Sequence, residues 1–434
     1  MLHPFPSPQG IHPNKRSSPP DRLLLASSII LQVVLALFFG HAYDMHIFMA
    51  TGYLVGTGQN PYIAQSLGAV FHNITFQGIT SFGYPPPWAL VLGLIYLCTY
   101  KIIPNFLFYN LAIKLPVIAA NICLAYLVAH VLDQSGAQEK TSRRAWIFIL
   151  FNPFLLCFSS AWGQFDSVVA LLSLLSLFLL SEGKLTSPAV LLALAVSCKP
   201  IALPLIPVVF VFLAGRSFKR TLKYFAIFSA SMVLFCVAPF FLFGWDPAVI
   251  FQHWNAHFTV GGGLSFMTFL ETLKHSYLLT GRWWIMGWVW VPALGVAAWA
   301  LKPGITGFND LLKKSVALIL VFYLCRAWLS EPNVILVLPL VLILTYMNKL
   351  QPLSLVAIWV LPLIFSIFNT SIFQLFFPSM PAIMDGLLKL AVQLNPARFA
   401  IRTAVVIAWL AAGWWIVYLC FKKPRLPKEE KAPG

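Results

Sequence analysis

Residues 23–46 read LLLASSIILQVVLALFFGHAYDMH, an apolar run that stops on a polar cluster holding a single acid, Asp44. A helix crossing a bilayer needs roughly 20 mostly apolar residues, so Leu23 to Gly40 forms a first span. Beyond it, no Lys or Arg occurs from His41 to Tyr100. Basic residues collect in cytoplasmic loops, so a gap this long belongs on the other side of the membrane. The acid of Asp44-Met45-His46, just outside the first span, marks a catalytic segment facing the non-cytoplasmic side.

The rest of the chain agrees with that beginning. Its 434 residues are 59% hydrophobic and 10% charged, with mean hydropathy +0.82. That is the profile of a polytopic membrane protein, with membrane lipids as its surroundings. The net charge of +16 reflects Lys and Arg in loops on one side, and nucleic acid is not expected as a partner. Seven cysteines lie in or beside apolar runs without CxxC spacing, so neither a disulfide framework nor a zinc site is expected. Lys15, Arg16 and Arg22 precede the first span as they would in a signal peptide. No small-residue cleavage site follows before Tyr43, so that span is expected to be retained.

Further apolar runs fall at 108–132, 145–160, 167–181, 188–215, 224–244, 283–301, 315–329, 333–347, 353–368 and 399–421. The positive-inside rule orients them. It puts residues 1–22 in the cytoplasm, with the loops bearing Lys140, Arg143 and Arg144; Lys184; Arg216, Lys219, Arg220 and Lys223; Lys302, Lys313 and Lys314; Lys349; and the tail 422–434. Only one crossing then fits between Tyr84 and Leu132, so Pro86 to Tyr100 is expected to lie along the outer interface or to re-enter, and the Pro-rich YPPPW entry suits a tilted, interfacial helix. Residues 188–215 must double back at Cys198-Lys199-Pro200, and arms of about 14 residues reach only roughly 20 Å. Lys199 is thereby left below the outer surface, at a broken helix. The expected fold is an all-α integral membrane protein of about 12 transmembrane helices, with both termini cytoplasmic and interfacial helices in the first outer loop. Residues 23–347 form one module with outer loops 41–104 and 245–282, and 348–421 hold the C-terminal spans. Asn73-Ile74-Thr75 and Asn369-Thr370-Ser371 are sequons on the outer side.

A charge at membrane depth costs roughly 2.5–3.5 kcal/mol on insertion scales, so one that persists lines a cavity or has a partner. Lys114 in AIKLP, Lys199 in SCKP and Arg326 in LCRAW are such cations; Asp166 and Glu331 are acids at outer helix ends. With Asp44, all fall in the outer half. Ion pairs between spans are the plain alternative for any one of them, yet neither Lys199 nor Arg326 has a carboxylate at i±3 or i±4. Together they suit an anionic headgroup and a general base. A lipid phosphate is the natural anion, and a carboxylate above it can deprotonate an acceptor hydroxyl.

The ordered motifs YDMH (43–46), GTGQNPY (56–62), YPPPW (84–88), IKLP (113–116), FNPF (151–154), WGQFDS (162–167), SCKP (197–200) and SEPN (330–333) resemble the polytopic glycosyltransferases of the GT-C fold. The likeness is greatest to those using polyprenyl-phosphate sugars, including the first-mannose GPI mannosyltransferases and their prokaryotic relatives. That family carries its base in an Asp-X-Asp type motif of the first outer loop, which maps onto Asp44, with His46 in place of the second acid. The resemblance implies transfer of a hexose, mannose-type favoured, from a polyprenyl-phosphate donor to an outward-facing lipid or glycan acceptor, by inversion and without a metal or other cofactor. Lys199, Arg326 and Lys114 would stabilise the departing phosphate. His46, Gln164, Asp166, Glu331 and Asn333 would contact sugar or acceptor, and Tyr62 and Tyr84 would shape the first loop. His253 and His257 lie four apart on one helical face. With no third ligand nearby they suit acceptor contact or the interface better than metal. The implied location is the plasma membrane of a prokaryote or the endoplasmic reticulum of a eukaryote, with the site on the non-cytoplasmic side.

The rival reading is a secondary transporter or lipid-linked sugar flippase, which also buries charges at broken helices. It predicts internal repeats, and none is evident here. An O-antigen-type polymerase or ligase shares the donors, but predicts Arg in the first outer loop.

Overall fold

The computed structural model describes residues 21–62, 65–66, 79–80, 82–248, 260–268, 279, 281–302 and 304–422. Helices dominate: α1 Arg22–Phe38, α2 Ala42–Gly56, α3 Pro86–Cys98, α4 Phe106–Gln134, α5 Glu139–Phe151, α6 Asp166–Ser181, α7 Thr186–Cys198, α8 Leu205–Ala214, α9 Phe218–Met232, α10 Trp290–Trp299, α11 Phe308–Leu324, α12 Leu338–Tyr346, α13 Pro352–Phe368, α14 Pro381–Gln393 and α15 Asn395–Phe421. α5 continues through Pro153–Leu156 into a π turn at Cys157–Ala161, and α9 through a π turn at Val233–Val237 to Phe243. Phe106–Gln134, Glu139–Ala161, Phe218–Phe243 and Asn395–Phe421 are long and apolar enough to cross a membrane, and further apolar helices are shorter.

Local chemistry sets the ends of these helices. Asp21 accepts from the Leu23 and Leu24 N–H groups and caps α1, satisfying donors that a helix start leaves open. Lys199 precedes Pro200 and is extended at φ −151° and ψ 121°, the conformation that a following proline favours. α7 therefore breaks where the sequence predicts. Arg220 Nη2 donates to the Gly183 carbonyl at 2.6 Å, bringing the loops before α7 and after α8 together, so this stretch doubles back.

The same segregation holds throughout the bundle. At one end, Arg143 pairs with Asp21 at 3.2 Å and Lys314 donates to the Cys420 carbonyl at 3.1 Å. A cleft at that end joins Ser135, Gln138, Asn309, Met347 and Lys349. These are the segments assigned to the cytoplasm from their charge. At the other end, the Gly40 N–H donates to the Leu375 carbonyl and the His41 N–H to the Trp162 carbonyl, while Tyr62 stacks on Phe240 at 5.4 Å.

The segment between α1 and α4 holds two helices, α2 and α3, packed on one another. Their approach is close because small residues face across it: a Cβ on Gly93 would lie 2.3 Å from a Val55 methyl, and one on Gly52 2.8 Å from the Leu92 carbonyl. Deeper in the bundle, Asn121 donates to Gln32 at 2.8 Å and to Ser159 at 2.7 Å, and Ser160 to Gln32 at 3.0 Å. This buried network ties α1, α4 and the π turn of α5 together.

One predicted span is shorter than expected. The apolar run 315–329 is helical only to Leu324; Trp328–Leu329 instead pairs in parallel with Gly262–Gly263. The Gly262 and Leu264 N–H groups donate to the Ala327 and Leu329 carbonyls at 2.9 and 2.8 Å, so the segment's hydrogen bonds go sideways. Arg326 lies past the helix end, not a turn before it.

Candidate functional site

Asp44 lies in the first turn of α2, with its side chain 16% exposed. Its Oδ2 receives Trp162 Nε1 at 2.5 Å and lies 3.2 Å from His41 Nδ1. The His41 ring stacks flat on Trp162 at 3.9 Å, which fixes both rings, and His41 Nδ1 accepts from the Asp44 N–H at 3.4 Å. Gln164 lies near enough to lower the Asp44 carboxyl as well. Burial alone would raise the Asp44 carboxyl, but the bonds and charge of these partners, His41 first, hold it below the usual carboxylate range.

The turn carrying Trp162 and Gln164 depends on one glycine. Gly163 has φ +100°, and a Cβ there would meet Met45 Sδ at 2.5 Å and Lys114 Cε at 3.0 Å. Only glycine suits both the dihedral and the space. The turn aims Trp162 and Gln164 at α2 and starts α6 on Asp166.

Lys199, at the break after α7, donates to both Asp166 oxygens at 2.9 and 2.7 Å and to Gln164 Oε1 at 3.3 Å. Its ammonium also lies 5.4 Å from the ring centres of Tyr84 and Phe165. Local sequence offers Lys199 no carboxylate; the fold supplies one from α6. Gln164 thus accepts from Lys199 and lies near Asp44, between the two carboxylates.

Arg326 has its guanidinium 5.1 Å from the Phe322 ring centre. Among the described residues it has no carboxylate within salt-bridge distance. Of the three expected phosphate ligands, Lys199 is ion-paired and Lys114 is held by backbone carbonyls, which leaves Arg326 with neither kind of partner among the described residues.

The remaining predicted residues have other surroundings. Lys114 is fully buried and donates to the carbonyls of Ala36 at 3.2 Å, Ala161 at 3.1 Å and Phe39. An ammonium has three N–H donors, so all are engaged at the ends of α1 and α5 and none is left for a phosphate. His46 is buried, bonds the Ala42 carbonyl and packs 4.4 Å from Phe377. Burial pushes its imidazole down to about 4, and so does the charge of His41. Residues two apart on a helix do not share a face, so Asp44 and His46 do not form one motif. Glu331 opens a 3₁₀ turn, Glu331–Leu336, and accepts from Asn369 at 3.1 Å and Ser371 at 3.4 Å. The Asn333 carbonyl accepts from the Tyr323 hydroxyl at 2.7 Å, a framework bond. His253, His257 and the Asn73 sequon lie outside the described residues.

His41, Trp162 and Asn369 belong to the site or its frame and were not singled out as ligands. His41 had a signal in the sequence, since it stands three residues before Asp44, the spacing that shares a helical face. Trp162 and Asn369 are placed by contacts between distant segments and had none.

No protein-family model matches this chain, and comparison with curated proteins finds no match.

Proposed function

We propose that this chain is a membrane glycosyltransferase of about twelve crossings, moving a hexose, mannose-type favoured, from a polyprenyl-phosphate donor to an outward-facing lipid or glycan acceptor. The observation that carries the reading is Asp44, held ionised, beside the Gln164–Lys199–Asp166 chain, together with Arg326, a cation with no carboxylate partner among the described residues. In the proposed displacement, the acceptor hydroxyl oxygen forms a bond to the anomeric carbon as the bond to the donor phosphate breaks. The hydroxyl proton passes to Asp44, and the polyprenyl phosphate leaves with the electron pair. Arg326 stabilises the phosphate, because a guanidinium offers paired donors to phosphate oxygens. Lys199 is neutralised by Asp166 and acts by holding Gln164 against Asp44.

The charge pattern of the loops and the alternation of chain ends support an outward site. The test is purified protein reconstituted with a panel of labelled polyprenyl-phosphate hexoses, with Asp44→Asn alongside. Transfer by the wild type and not by the variant supports the reading. A buried Lys–Asp pair at a broken helix is also what a secondary transporter uses. Solute uptake into sealed vesicles, with no transfer from any donor, would favour that alternative.

A further inference from the structure

Arg326 sits on a connection with little helical support of its own. Residues 325–330 join the end of α11, at Leu324, to the 3₁₀ turn that opens on Glu331. Within it the Arg326 N–H reaches the Tyr323 carbonyl at 3.4 Å, beyond the usual length of such a bond. The firmer bonds come from a segment far away in sequence. The Ala327 carbonyl accepts from the Gly262 N–H at 2.9 Å and from the Ser265 hydroxyl at 2.6 Å, and the Leu329 carbonyl accepts from the Leu264 N–H at 2.8 Å. Ser265 Oγ in turn accepts from the Met267 N–H at 3.1 Å. Residues 262–267 thus clip the chain directly after Arg326.

Two features bring the clip close. A Cβ on Gly263 would lie 2.3 Å from the Leu329 carbonyl oxygen, and Gly263 also has φ +63°. The obstacle is backbone on the partner strand, which no side-chain rotation relieves, so glycine alone fits the approach. The clip also has apolar support of its own. Met267, Leu279 and Ala327 form a small buried cluster apart from the main core, with Phe266, Trp283 and Met286 packed against it. Two short strands do not persist on their hydrogen bonds alone, and parallel pairing in particular goes with burial; Gly262, Gly263 and Leu329 are all buried. Backbone bonds and apolar packing therefore converge on Ala327, the residue next to Arg326.

We infer that residues 262–267 are a positioning clip for Arg326, and that lipid-phosphate binding by this guanidinium depends on Gly263. The inference rests on the reading of Arg326 as the ligand of the donor phosphate. A guanidinium meets phosphate oxygens through a planar fork whose direction matters, and a displacement of about 1 Å at such a group forfeits much of its effect. A side chain at Gly263 pushes the two strands apart and moves the carrier of the fork without altering its charge. Arg326 touches the phosphate; Gly263 and Ser265 act through it.

The detergent-purified full chain is titrated with farnesyl phosphate, a short polyprenyl phosphate, and with farnesol, which lacks the phosphate, as wild type, Gly263→Ala, Arg326→Gln and the double variant. Each single substitution should weaken farnesyl phosphate binding several-fold and leave farnesol unchanged. Adding Gly263→Ala to Arg326→Gln should cost nothing more, because residues that act through one another are not additive. Equal weakening of both ligands, a further loss in the double variant, unchanged farnesyl phosphate affinity in Gly263→Ala, or no farnesyl phosphate binding by the wild type each overturns the proposal. Should Gly263→Ala not fold, Ser265→Ala decides, since it removes a bond to the Ala327 carbonyl without adding an atom. It should show the same selective loss in weaker form, and unchanged farnesyl phosphate affinity overturns the clip. Sugar transfer is scored separately: the expected binding pattern with no transfer from any donor sinks the transferase reading and leaves the clip standing, whereas transfer with no dependence on Gly263 or Ser265 sinks the clip alone.

Discussion

Asp44 receives a hydrogen bond from Trp162 and lies beside His41 and Gln164, and their effect on its proton has a definite sign. A carboxylate held below its ordinary value stays ionised to lower pH, so activity needing the base form is full at neutrality and falls only as pH drops through that lowered value. Replacing His41 with Ala removes the largest of those lowering influences. The acid limb of the rate profile should then move to higher pH, while Asp44→Asn should cost about 10²–10⁴ in rate. A limb unmoved in His41→Ala would show that another group titrates. Lys199 behaves differently from an unpaired cation. Lys199→Met leaves Asp166, wholly buried, without its counter-charge, a change that typically costs about 3–5 kcal/mol. Lys199→Met with Asp166→Asn should recover most of that loss in thermal unfolding of the purified protein. If Lys199→Met unfolds no earlier than wild type, the pair is not a structural one. Sequence marked both residues as costly to bury, but not their pairing. They stand on different helices, and only the fold brings them together.

At the scale of elements, the sequence was most legible where a residue's own chemistry ends a helix. The break at Lys199-Pro200 and the start of α6 at Asp166 follow from proline geometry and from the favourable placing of an acid at a helix N-terminus. It was least legible where a helix end is completed by a distant side chain, as when Lys114 caps α1 and α5. The DMH motif was misread for a related reason: within a helix, period 3.6 separates positions that a loop would leave adjacent. The WGQFD turn tests how far one backbone angle controls the site. Gly163→Ala meets both a left-handed φ and the Met45 sulfur. Strain at such a position is of order 1–3 kcal/mol, and activity per folded molecule should fall further, because Trp162 and Gln164 both depend on that turn. Adding Met45→Ala relieves the contact but not the dihedral, so the double variant should stay impaired. Full recovery would assign the glycine to packing alone.

For the molecule as a whole, the decisive question is whether α3 crosses the bilayer. It has 13 residues, which at 1.5 Å each reach about 20 Å, short of a hydrocarbon core of about 30 Å. It packs along α2 through Gly93 and Gly52, and the proposed reading keeps both on the outer side. Only α4 then separates Gln59 from Ser135, and the two must face opposite sides. Were α3 a crossing, the same two positions would share a side, and every later assignment would invert relative to Asp44. Single cysteines at Gln59, Gln393, Ser135, Lys184 and Gln351, in a background lacking the native thiols, distinguish these cases with a membrane-impermeant maleimide on intact cells. Gln59→Cys and Gln393→Cys should react from outside. Ser135→Cys, Lys184→Cys and Gln351→Cys should react only after permeabilisation, since their loops gather at the end bearing Arg143, Arg220 and Lys349. Labelling of Gln59 and Ser135 from the same side would make α3 a span and remove the argument that sets Asp44 over an outward site.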